Sequence, residues 1–77
     1  MAGHERDVHT VPLGDGWVNM VGGAQIGGTH RTQEAAIEAG RALAMQNRSE
    51  HTIHGQDGKI REQNSYGYGH DPRDIRD

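Results

Sequence analysis

TQEAAIEAGRALAMQNRSEHTIHGQDGKIREQNSYG, residues 32–67, reads as one amphipathic helix feeding a tight β-hairpin. Thr32 is a good N-cap, and Glu34 puts negative charge in the first turn, where the helix dipole favours it. Position 35 is Ala, so the reciprocal capping box is absent. Ala36, Ile37, Gly40, Leu43 and Ala44 form one stripe at helical spacing, with Glu34, Glu38, Arg41, Met45 and Arg48 opposite. Small residues at 36, 40 and 44 suit close approach to a sheet. Next come His51–His54 and Lys59–Glu62, two short alternating runs around a loop ending in Asp57-Gly58, which predicts a hairpin. Ile53 and Ile60 are expected to share its buried face.

Upstream, Val8–Leu13 and Trp17–Val21 are β-rich runs separated by Gly14-Asp15-Gly16, a hairpin signal. Pro12 belongs at a strand end or on an edge, because it cannot donate a ladder hydrogen bond. Ala24-Gln25-Ile26, bracketed by glycine pairs, is a short third strand at most. The predicted order is β-β-(β)-α-β-β: a single small α+β domain with one helix packed on an antiparallel sheet. Residues 1–6 are expected to form a flexible arm, 7–67 the domain, and 68–77 a flexible charged tail.

Size and composition narrow the function. A chain of 77 residues is one domain, burying roughly 60% of the surface its unfolded form exposes. It has one Trp, two Tyr, no Phe and 12 Gly, so the apolar supply is thin and ordering the chain is costly. Without cysteine, disulfides, thiolate metal sites and thiol catalysis are excluded. A small core without staples often gains stability by association. No apolar run reaches the ~18 residues of a membrane span, and MAGHERD offers no secretion signal, so a cytoplasmic protein without membrane contact is expected. The net charge is −3, yet Val8–Arg61 is neutral, with Arg31, Arg41, Arg48, Lys59 and Arg61 against Asp15, Glu34, Glu38, Glu50 and Asp57.

The run GDGWVNMV, the helix TQEAAIEAGRALA and the segment HGQDGKIREQNSYG together resemble the domain of unknown function family 2188 (DUF2188), a group of short bacterial proteins. The resemblance covers roughly residues 8–67. It implies a compact α+β fold and no catalytic residue that can be carried over. Family members often continue with Pro-rich sequence, where this chain has HDPRDIRD.

The remaining motifs bear on chemistry. Six histidines (4, 9, 30, 51, 54 and 70) raise the question of a metal. His51 and His54 are three apart, which on a strand sends them to opposite faces, although His9 could meet one of them across a sheet. Surface histidines tuning stability near neutral pH are the expectation, and no metal site is assigned. The glycine clusters match neither a P-loop nor a dinucleotide fingerprint; Gly27-Gly28-Thr29 before the helix could at most hold an anion weakly. Ser49 and Ser65 lack a nucleophile context. A non-enzymatic protein without cofactor is therefore expected. It would act by binding, as a homodimer or with a protein partner, through Val18, Met20, Tyr66 and Tyr68. The alternative is nucleic-acid binding through Arg41, Arg48, Lys59 and Arg61, which the acidic balance opposes.

Overall fold

The computed structural model describes residues 6–67. The predicted tail, with Tyr68, and all of the predicted arm except Arg6 lie outside the described residues. The elements are β1 (Val8–Leu13), β2 (Gly16–Val21), β3 (Ala24–His30), α1 (Gln33–Asn47), β4 (Glu50–His54) and β5 (Ile60–Ser65). They form a five-stranded sheet in the order β3-β2-β1-β4-β5, with α1 on one face.

Local chemistry explains the elements. Gly22 and Gly23, at φ 59° and 85°, form the β2–β3 turn, whose two positive φ angles suit a primed hairpin turn. β3 then runs to His30, beyond the short strand expected, because three residues of β3 bulge opposite Val18. Gly27-Gly28-Thr29 therefore belongs to a strand, not to a loop before the helix. Thr32 caps α1 as expected, its Oγ1 accepting from Ala35 N at 3.1 Å.

Three of the four strand pairings are antiparallel; β1 and β4 pair in parallel, with Val8 opposite His51 and Thr10 opposite Ile53. The sheet is thus mixed, where the sequence suggested an antiparallel one. The reason is topological. Two hairpins leave β3 running parallel to β1, and α1 carries the chain back across the sheet so that β4 starts along β1.

Ala36, Gly40 and Ala44 are the buried positions of α1. Ile37 and Leu43 flank them, half-buried. Val8, Trp17, Val18 and Ile53 supply the larger buried apolar side chains, each contributing about 1.5–3 kcal/mol. Ile60 does not join Ile53: it is 60% exposed. Pairing shifts between Ile53 and His54, setting Glu62 opposite Ile53 and Ile60 opposite His54. Arg61 is the extra residue of that bulge, and the alternation assumed from sequence breaks there.

Candidate functional site

Two polar constellations sit on opposite faces of the central strands. On the helix side, Thr10, Asn19 and His51 come from three adjacent strands, β1, β2 and β4, and all are fully buried. Asn19 Nδ2 donates to the carbonyl of Ala36 at 3.0 Å, tying the sheet to the helix. That bond leaves Asn19 Oδ1 as acceptor, and Thr10 Oγ1 donates to it at 2.6 Å. The Thr10 hydroxyl has only one proton, so the 2.7 Å contact with His51 Nε2 must be donated by the imidazole. His51 is therefore the neutral Nε2–H tautomer, with its Nδ1 lone pair inward. Nδ1 and the neighbouring Ser49 Oγ are buried without hydrogen-bond partners. Burial lowers the His51 pKa; the charge of Arg41 adds to the shift and Glu62 opposes it. A histidine expected at the surface is thus a core residue.

On the helix-free side, His9 Nδ1 lies 3.0 Å from His54 Nε2. His54 Nδ1 is 2.9 Å from the carbonyl of Gly58. A carbonyl only accepts, so His54 carries its proton on Nδ1 and presents a lone pair at Nε2, toward which His9 donates. The rings are tilted by 38°, with centroids 5.3 Å apart. Burial lowers the His9 pKa; His54 adds to the shift and Asp7 opposes it. Met20 is the direct cross-strand partner of His9, so its side chain shares that face. His51 and His54 do face opposite ways, and His9 does meet one of them.

The four candidate cations are dispersed. Arg61 donates to Gln33 Oε1 at 2.7 Å, at the start of α1. Arg48 follows the last turn of the same 15-residue helix, roughly 22 Å away along its axis. Arg41 is exposed in between, and Lys59 is exposed in the β4–β5 loop, outside the strand. Of the candidate contact residues, Val18 is 1% exposed and Met20 half-buried, both on β2, which is flanked on each side and so is not an edge. Tyr66 is half-buried, its backbone N–H donating to Ser49 O at 3.0 Å.

Residues 8–66 match the family described as an uncharacterised protein conserved in bacteria (DUF2188). The chain belongs to this family. No curated protein and no solved structure matches it. The description of the DUF2188 family names no activity. Among the described residues no helix is long and apolar enough to cross a membrane.

Proposed function

We propose that this DUF2188 protein is a small non-enzymatic binding module that self-associates by pairing the β3 edges of two copies. The observation that carries this reading is the make-up of that edge. Ala24–His30 contains no Lys, Arg, Asp or Glu, and every residue but His30 is exposed, Ile26 among them. Soluble proteins blunt free edges with charge, bulges or short strands. β5, the other edge, carries Arg61 and Glu62. On β3 the bulge guards only the far half, which leaves Ala24-Gln25-Ile26 as an uncharged, regular segment for a symmetric partner. The thin apolar core gives association a motive, since a second copy adds burial that the monomer lacks.

A non-enzymatic role fits the same layout: the buried hydrogen-bond network lies beneath α1, out of reach of a substrate. Nucleic-acid binding is the weaker reading, because its four cations are dispersed. Sedimentation velocity across a wide concentration range tests the proposal. A dimer that Ile26→Lys dissociates, with the fold retained by circular dichroism, is the expected result. A wild-type monomer at every concentration, or a dimer indifferent to Ile26→Lys, overturns it.

A further inference from the structure

We propose that His9, His54 and Met20 form a binding site for a soft monovalent cation, Cu⁺ by preference, on the helix-free face of the sheet. The 5.3 Å between ring centroids is the 3.0 Å nitrogen contact plus about one ring radius on each side, so the two nitrogens meet head-on. Head-on imidazoles share one cation along a line. In the metal-free protein that cation is the proton His9 donates. With metal–nitrogen bonds of about 2 Å, opening the pair by roughly 1 Å along the same line admits a two-coordinate ion without turning either ring.

The surroundings favour a soft ion. Met20 stands directly across from His9 and brings a flexible thioether to the same face. Thioether and imidazole together suit Cu⁺, whereas borderline divalent ions want more nitrogen or oxygen ligands. Among the described residues no group of three His, Cys, Asp or Glu could supply them. The Gly58 carbonyl holds the Nδ1 proton of His54, the supporting bond that metal-ligating histidines characteristically make through their other nitrogen. On binding, the His9 proton moves from Nδ1 to Nε2 by exchange with water, so a neutral pair takes the ion with no net proton release. The side chains are accessible: His9 is exposed, and His54 and Met20 are half-buried.

Ag⁺ is the probe, a redox-inert stand-in for Cu⁺, added as nitrate in chloride-free buffer to the full chain labelled at methionine methyls and histidine rings. The expected result is that the Met20 methyl and the His9 and His54 ring signals move together and saturate at one equivalent. His9→Gln and Met20→Leu should each weaken binding at least about tenfold. Met20→Leu conserves volume, so the fold is retained in at least that variant. Competition with a Cu⁺-specific chelator under anaerobic conditions should give the same ranking. The proposal is overturned if Ag⁺ moves the methyls of Met1 or Met45 while Met20 stays still. It is equally overturned if neither substitution changes the affinity.

Discussion

A methyl group placed on Gly40 would stand 2.6 Å from His51 Nε2, closer than any side-chain carbon can sit. The same methyl would meet Asn19 Oδ1 at 2.6 Å and Thr10 Oγ1 at 2.9 Å. Helix and sheet are thus brought together at the one helical position with no side chain, directly above the buried polar triad. Helix propensity alone would favour Ala over Gly by about 1 kcal/mol. Overpacking against three interlocked polar groups costs about 1–3 kcal/mol, and it also breaks hydrogen bonds. Gly40→Ala should therefore lower stability by about 1–2 kcal/mol, read as a lower urea midpoint. A Gly40→Ala variant as stable as wild type would mean that the triad is not packed this tightly.

Thr10 is the centre of that triad, accepting from His51 and donating to Asn19. Thr10→Val keeps the shape and removes both bonds, stranding the Nε2–H of His51 and one acceptor of Asn19. An unsatisfied buried polar group costs about 1–3 kcal/mol. A loss of about 2 kcal/mol in urea unfolding is expected, with the helix content of the folded protein unchanged. Ser65→Ala, on exposed β5, is the control and should lie within about 0.5 kcal/mol of wild type.

Acid should weaken the fold through His51. Its pKa is lowered in the folded state, first by burial, so above its ordinary value of 6.5 both states are neutral and the group has no effect. As pH falls below 6.5, the unfolded chain takes a proton that folded His51 refuses, and stability is lost until the folded pKa is reached. The slope from one such group is at most about 1.4 kcal/mol per pH unit. Unfolding in urea at pH 7.5 and pH 5.5 should show this loss, and His51→Gln should reduce it. Equal acid sensitivity in the variant would assign the effect elsewhere. His9, also lowered, is the group to test next.

Local signals made most of this fold legible. Thr32, the small residues at 36, 40 and 44, and the turns at Gly14-Asp15 and Gly22-Gly23 each act within a few residues and appear where expected, whereas Gly27-Gly28 lies within β3. What could not be read was non-local. The parallel pairing of β1 with β4 depends on where a 15-residue helix sets the chain down, which no window of sequence encodes. His51 looks like a surface residue because polar side chains lie on both faces of β4, and Asn19 is the one polar side chain of β2. Only the strand order reveals that these two interlock with Thr10 under Gly40. Ile60 misled for a related reason, since a bulge shifts register without altering composition. The His9–His54 contact could be posed as one option from sequence, and the parallel register settles which histidine His9 meets.

Arg48 ends α1 with φ 53° and ψ 53°, the left-handed conformation, and its backbone N–H bonds the carbonyls of Ala44 and Met45. It is the only non-glycine residue at positive φ among those described. Such caps are usually Gly, because a Cβ in that region costs roughly 1 kcal/mol or more. Gly also has more freedom to lose on folding, which offsets part of the gain. The Arg48 side chain is exposed, so removing it sacrifices little packing. Arg48→Gly should therefore stabilise the protein by about 0.5–1 kcal/mol, while Arg48→Ala, which keeps the Cβ, should not. Thermal unfolding of the two variants side by side separates the contributions. Equal melting temperatures for the Gly and Ala variants would show that the strain at this cap is relieved without a change of residue.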